Sequence, residues 1–147
     1  MTGKAPPEVT QNQQAIQTHL GILQNTIERM AGNSAAAKAW CITLVSAILV
    51  IVADKHQPRF VWLALLPTLL FFGLDSYYLA LEKGFRRSYA RFVERLHRGS
   101  LQEEDLYTVA HTGKFVELVM LSVRSMSIWP FYGTLIFMLY LAQRLVI

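Results

Sequence analysis

The fold is decided by residues 35–81, AAAKAWCITLVSAILVIVADKHQPRFVWLALLPTLLFFGLDSYYLAL, in which two apolar runs flank the polar connection DKHQPR. The first run ends at Ala53 and the second begins at Phe60. Each approaches the roughly 20 apolar residues with which a helix crosses a bilayer. A third apolar run, IWPFYGTLIFMLYLA, extends from Ile128 to Ala142. The sequence therefore predicts an all-α integral membrane protein with two to three transmembrane helices and helical cytoplasmic extensions.

The composition agrees with this interpretation. Hydrophobic residues make up 53% of the 147-residue chain and charged residues only 16%, whereas soluble domains usually carry about a quarter charged residues. The polar start has no small-residue cleavage pattern, so the first run is expected to remain as an anchor. We divide the chain into a cytoplasmic segment with an amphipathic helix (1–34), a transmembrane hairpin (35–81), a basic cytoplasmic or interfacial segment (82–124) and a third transmembrane helix (125–147).

The distribution of Lys and Arg predicts the topology. Basic residues near the ends of a span stay in the cytoplasm, and seven of them lie in the 82–114 segment: Lys83, Arg86, Arg87, Arg91, Arg95, Arg98 and Lys114. The N-terminus and the 82–114 segment are therefore expected on the cytoplasmic side. Glu117 and Arg124 interrupt the approach to the third run, so two spans followed by an interfacial C-terminal helix remain an alternative.

Aromatic residues near the ends of the apolar runs are typical of a belt that anchors depth in a bilayer; they are Trp40, Trp62, Trp129, Tyr77, Tyr78 and Tyr132. Pro67 lacks a backbone donor and is expected to kink the second span. The one cysteine, Cys41, excludes an intrachain disulfide.

The segment before the first run has an apolar stripe at coiled-coil spacing, formed by Ile16, Leu20, Leu23, Ile27 and Met30. The stripe is expected either to pack on this chain's second cytoplasmic segment or to support self-association. No proline interrupts residues 11–53, so the stripe is expected to continue almost coaxially into the first span, with a possible kink at residues 32–34.

Arginines recur at helical spacing beyond the second run, with Gly99 placed to end their helix. The candidate polyanion-binding residues are Arg86, Arg87, Arg91, Arg95 and Arg98. The pattern is compatible with a solvated stripe that faces the inner leaflet, with binding of a nucleotide or nucleic-acid oligomer, and with ion pairs to acids of another subunit.

Lys38 and Asp75 are single charges of opposite sign within the first and second apolar runs. Because the connection is centred between residues 56 and 57, both stand equally far from the turn of an antiparallel hairpin. Isolated charges at this depth cost a few kcal/mol and are normally paired or reach headgroup water. The spacing suggests a pair that fixes the hairpin register, separate interfacial charges, or a role of Asp75 in ion selection or gating.

Polar groups elsewhere in the spans are few. Thr43, Ser46 and Val50 share one helix face, which suits close helix packing or the lining of a narrow pore in an oligomer. We find no phosphate-binding glycine loop, metal-ligand motif or nucleophile elbow, so neither an enzyme nor a cofactor is predicted. The four histidines are expected at the surface: His19, His56, His97 and His111.

Two stretches, RMAGNSAAAKAWCITLVSAILVIVA and FFGLDSYYLALEKGFRRSYARF, resemble small bacterial membrane effectors of the SLATT-like group, which accompany nucleotide-signalling conflict systems. The shared features are the Asn33–Ser34 pair, Lys38-x-Trp40, the ITLVSAI run, the Leu-Asp-x-Tyr-Tyr of residues 74–78, Glu82, and the Phe85–Arg86 pair. They cover roughly residues 29–98, about half of the chain. Within the group, the sequence is most similar to the membrane partner of Hailong-type anti-phage systems, in which a nucleotidyltransferase makes a DNA oligomer that holds a channel closed.

The resemblance implies a homo-oligomer, a tetramer by family likeness, in the bacterial inner membrane with its N-terminus in the cytoplasm. Its expected function is a pore that depolarises or permeabilises the membrane in anti-phage defence, gated by a nucleotide or nucleic-acid oligomer on the cytoplasmic side. The alternative is a non-conducting anchor or scaffold that recruits a soluble partner.

Overall fold

The computed structural model describes residues 7–55, 57–106 and 108–145. The first six residues of the predicted 1–34 segment, His56 in the predicted connection, Tyr107, and the last two residues of the 125–147 segment lie outside the described residues. The helices are α1 (Pro7–Lys55), α2 (Leu65–His97), α3 (Phe115–Val123) and α4 (Trp129–Leu145), with 3-10 turns at Pro58–Ala64 and Glu103–Leu106. Within the described ranges there is no strand, which confirms the all-helical class.

Two stretches, Gln13–Lys55 and Arg59–His97, are long and apolar enough to cross a membrane by length and composition. α1 is one helix of 49 residues, so at 1.5 Å per residue it is about 74 Å long. Such a length exceeds the roughly 30 Å of a bilayer core by about 40 Å. The amphipathic segment therefore continues into the first apolar run as predicted, and α1 stays helical through Gly32 and Ser34.

α1 and α2 pack antiparallel along most of their length, but the seam differs from the predicted stripe. The buried side of α1 carries His19, Leu23, Thr26, Ser34, Ala37, Cys41, Val45 and Val52. Of the predicted stripe, Leu23 lies fully in this seam, whereas Ile16, Leu20 and Ile27 are only partly buried. The seam follows an eleven-residue spacing, as in Leu23, Ser34 and Val45; the series His19, Met30, Cys41 and Val52 has the same spacing, with Met30 partly buried. This spacing is close to the period of a straight helix, so one face of α1 stays against α2 where a heptad stripe would drift away.

Pro67 lies close to a change of helical geometry. The chain after the connection first forms the 3-10 turn Pro58–Ala64, and α2 follows directly from Leu65. Pro67 is thus the third residue of α2, three residues after the last residue of the 3-10 turn. The kink expected at Pro67 stays a prediction.

α4 lies against the apolar end of this hairpin. Its buried residues Tyr132, Leu135 and Leu139 join a core with Cys41, Val45, Val52, Val61, Ala64 and Leu79. α4 begins near the level of Phe72, whose ring contacts Tyr132 at 5.3 Å between centroids, and runs toward the 3-10 turn. Tyr132 is 3% exposed and lies inside the fold, so its predicted place in an aromatic belt is wrong; Trp40, Trp62, Trp129 and Tyr77 are exposed and Tyr78 is half-buried.

The segment after α2 folds back along it. Gly99 adopts a φ of 65°, and the Ser100 and Gly99 amides donate to the Arg95 and Leu96 carbonyls, which is the Schellman arrangement that ends a helix. The chain then passes Gly84, whose carbonyl accepts the Thr112 amide at 3.2 Å. A Cβ on Gly84 would lie 2.9 Å from the His111 Cβ. Glycine therefore permits the close approach that seats α3 on α2.

Candidate functional site

A buried charged cluster joins α1, α2 and α4. Lys38 Nζ lies 2.6 Å from Asp75 Oδ2, and the Ser34 hydroxyl donates to Asp75 Oδ1 at 2.5 Å. Lys38 also donates to Ser34 at 3.2 Å, one helical turn earlier on α1. The Asp75 side chain is fully buried, whereas that of Lys38 is 19% exposed. The hairpin spacing thus identified a real contact, and the alternative of two separate interfacial charges does not fit this geometry.

Tyr132 brings α4 into the same cluster. Its hydroxyl is buried beside Asp75 without a hydrogen bond of good geometry within the described part of the chain. The carboxylate therefore contacts polar groups from α1 on one side and faces α4 on another. Because Asp75 is enclosed within a single chain, it cannot contact an ion in a pore between subunits without a rearrangement of these helices. The arrangement is suited to fixing helix register.

Four of the five predicted polyanion-binding arginines form ion pairs with acids of this same chain, whereas the ion pairs expected for the stripe were with acids of another subunit. The partners come from α2 itself and from the segment that folds back on it: Arg86 with Glu82 (2.8 Å), Arg87 with Glu117 (3.5 Å), Arg95 with Asp105 (2.6 Å) and Arg98 with Glu94 (2.6 Å). Arg91 is exposed and has no ion pair among the described residues. The uniform basic stripe predicted from spacing is therefore largely neutralised, and Arg91 stands apart.

Arg91 lines a cavity of about 190 Å³ between α1, α2 and the segment after α2. The cavity is also lined by Arg95, Ser88, His19, His111 and Asp105. His19 is 3% exposed and stacks on Phe92 with 4.5 Å between ring centroids. Its prediction as a surface histidine is wrong, because residue 19 falls in the eleven-residue seam. Its Nδ1 atom is buried without a hydrogen-bond partner in the described part of the chain.

Asp105 sets the charge of one wall of this cavity. The Gln102 amide donates to its Oδ2 at 3.1 Å and the Arg95 guanidinium donates to its Oδ1. These contacts lower the pKa of Asp105, and the backbone N–H of Gln102 is the larger cause. Asp105 thus stays ionised and compensates Arg95, which leaves the Arg91 guanidinium and the two imidazoles as the groups that could receive an added anion.

The three predicted pore-lining residues, Thr43, Ser46 and Val50, all lie on the exposed side of α1. The Thr43 hydroxyl donates to the Ala39 carbonyl at 3.0 Å. Ser46 borders a largely apolar groove between α1 and α4, with Thr134 on the opposite wall. These positions are turned away from α2 and are free to meet lipid, a second copy or a pore. Their role as pore lining stays a prediction.

Comparison with protein-family models, with curated proteins and with solved structures gives no match for this chain. Within the described residues, no group of three or more His, Cys, Asp or Glu side chains could hold a metal ion. The residues that sequence reasoning missed are His19, Ser34, Tyr132, Asp105 and Glu117. Only Ser34 carried a signal in the sequence, as part of the Asn33–Ser34 pair, because the buried face of α1 that includes His19 is set by its packing on α2.

Proposed function

We propose that this chain is an oligomeric membrane effector of the bacterial inner membrane. In this proposal several copies enclose an ion-conducting pore, and a nucleotide or nucleic-acid oligomer bound on the cytoplasmic side gates it in anti-phage defence. The single observation that carries the proposal is the continuity of α1 and α2, which rigidly join an apolar surface of membrane dimensions to a polar end with an anion-compatible cavity.

The apolar surface supports membrane insertion. Large apolar side chains are exposed on α1, on the 3-10 turn Pro58–Ala64, on α2 and on α4. We call this set the apolar belt. It consists of Trp40, Ile42, Leu44, Val50, Ile51, Phe60, Trp62, Leu63, Leu66, Leu69, Leu70, Trp129, Ile136, Phe137 and Met138. Soluble monomers rarely expose contiguous apolar patches above a few hundred Å². A lipid environment removes this surface from water, and the basic residues at the other end favour a cytoplasmic N-terminus.

The pore hypothesis rests on the exposed hydroxyls of Thr43 and Ser46. One chain provides two or three apolar spans, too few to enclose a path for ions, so conduction requires several copies; the family resemblance suggests four. A face with small polar residues allows close helix approach and can offer oxygen atoms to a passing ion. Asp75, which is enclosed within one chain, is proposed to act indirectly by holding the α1–α2 register.

Substituted-cysteine block of conductance tests the pore. Ser46→Cys, made in a Cys41→Ala background, should conduct in proteoliposomes and lose conductance with a membrane-impermeant thiol reagent. Leu70→Cys, on the exposed side of α2 at 58% exposure, is the matched control and should be insensitive. Block at Leu70 and not at Ser46 would refute the assignment of the α1 face.

Absence of flux from the unsubstituted chain, with and without added oligonucleotide, would refute the channel itself. A stable complex with a soluble protein under those conditions would favour the non-conducting anchor.

A further inference from the structure

The cavity beside Arg91 brings together a cation without an ion pair and a buried imidazole nitrogen without a hydrogen-bond partner in the described chain. Buried polar atoms are nearly always hydrogen-bonded, yet the buried Nδ1 of His19 has no partner in the described ranges. Arg91 carries a charge that no acid of the described chain neutralises. Both side chains line the same space, with the His111 ring beside them. The Ser88 hydroxyl also lines the cavity but donates to the Ala110 carbonyl at 2.6 Å. Arg91, His19 and His111, from three parts of the chain, are therefore the groups from which a small anion can accept.

The size of the cavity limits the ligand. Its volume of about 190 Å³ is below the roughly 300 Å³ of the smallest typical pockets for drug-sized molecules. A single phosphate group with a few waters fits, whereas a stretch of polymer does not. A terminal phosphate has three acceptor oxygens and up to two negative charges. It therefore offers more acceptors to these donors than a phosphodiester, which is bonded to the polymer on both sides.

A membrane lipid is a poor source for this phosphate. His19 stands nineteen residues before Lys38, or roughly 28 Å along α1. If Lys38 marks the membrane boundary, the cavity lies well beyond the headgroup layer, which adds only about 5–8 Å to each side of the hydrocarbon core. The phosphate therefore comes from a soluble molecule.

We propose that this cavity binds the terminal phosphate of a soluble phosphomonoester, with Arg91 as the principal cation and His19 and His111 as further donors. The inference deepens the proposed function, because it names the part of an oligonucleotide ligand that the chain reads. Asp105 holds Arg95 in place at the wall and competes with the incoming anion. The remainder of such an oligonucleotide stays outside the cavity.

The test compares two probes that differ by one group: a short single-stranded DNA oligomer with a 5′-phosphate and the same oligomer with a 5′-hydroxyl. The full chain in nanodiscs should bind the phosphorylated oligomer at least about tenfold more tightly, the lower end of the effect of hydrogen bonds to charged groups. Inorganic phosphate should compete for this difference. Equal affinity for the two oligomers would overturn the proposal.

Arg91→Gln should abolish the preference for the phosphorylated oligomer, and Arg91→Lys should retain part of it. Arg86→Gln is the matched control, since Arg86 is an exposed arginine of α2 paired within that helix. Unchanged thermal unfolding of Arg91→Gln would show that its fold is intact. Equal loss in the Arg86 and Arg91 variants would overturn the assignment, as would an Arg91 effect seen only with anionic lipid in the nanodisc.

Conductance separates this inference from the proposed function. Gating by both oligomers alike would leave the pore hypothesis standing and reject the phosphate site. Arg91-dependent phosphate binding without any conductance would support the site and reject the pore.

Discussion

Replacing Lys38 by Met should destabilise the protein more than replacing Asp75 by Asn, although both changes break the same ion pair. Lys38→Met leaves a carboxylate that is fully buried, with Ser34 as its remaining hydrogen-bond donor. Removing one partner of a buried pair lowers the free energy of unfolding by about 3–5 kcal/mol. Lys38→Met should lie at the upper end of this range. Asp75→Asn leaves an ammonium that is 19% exposed and can turn toward solvent, so we expect about 1–3 kcal/mol.

The double variant tests whether the two losses share one cause. With both charges removed, no uncompensated ion remains, and we expect a loss of about 1 kcal/mol, so the coupling free energy should exceed roughly 2 kcal/mol. Thermal unfolding of the full chain in detergent, followed by tryptophan fluorescence, measures these differences. At about 2–4 °C per kcal/mol for a chain of this size, Lys38→Met should lower Tm by on the order of 10 °C.

Lys55→Met is the matched control on the same helix. Lys55 pairs with Asp54 at 3.5 Å, and both side chains are at least 70% exposed, so the change should stay within about 0.5 kcal/mol. A coupling below about 0.5 kcal/mol, or equal losses at Lys38 and Lys55, would refute the buried-pair reasoning. A charge swap, which the spacing alone would suggest, is a weaker test because it would put the longer lysine side chain at the fully buried position 75.

Two further changes probe the segment that folds back on α2. Gly84→Ala would place a methyl group 2.9 Å from the His111 Cβ and should lower the free energy of unfolding by about 1–3 kcal/mol. The control Gly21→Ala meets no atom within 4 Å and should raise the free energy of unfolding by up to about 1 kcal/mol. Thermal unfolding measures both changes. Asp105→Asn should strengthen phosphate binding several-fold in a titration, because Arg95 loses its competing carboxylate; an unchanged affinity would contradict this role. The lowered pKa of Asp105 implies a stabilisation that is complete above about pH 3.9, the value of an unfolded aspartate, and is lost as pH falls through the folded value. Asp105→Asn should remove this loss in an unfolding series from pH 5 to pH 3.

The helical class, the hairpin and its charged contact could be predicted because they depend on quantities that are local in sequence. Apolar run length sets the helices, and equal distance from the turn sets which residues meet across an antiparallel pair. The contact of Lys38 with Asp75 follows from this equal distance. A second pair at equal distance from the turn is Gln24 and Tyr89, and the Gln24 side-chain amide donates to the Tyr89 hydroxyl at 3.4 Å. The helix end at Gly99 likewise follows from a local backbone requirement.

The candidate ligand site could not be predicted in this way. Which face of α1 is buried depends on α2 along the whole seam, so His19 was assigned to the surface although it lines the cavity. Arg87 and Arg95 looked like free cations because their acids lie thirty and ten residues further along the chain. Spacing along one helix cannot show that a returning segment supplies those carboxylates.

The sequence by itself thus determined the helices, their antiparallel pairing and the distance from the turn at which Lys38 meets Asp75, because run length and helical rise are properties of each segment alone. Only the tertiary structure decided that Tyr132 lies beside that pair, that Arg87 and Arg95 are neutralised by acids of the segment after α2, and that Arg91 and His19 share one cavity. These outcomes depend on how α4 and the segment after α2 fold back on the hairpin, and such contacts are set by packing between elements distant in sequence.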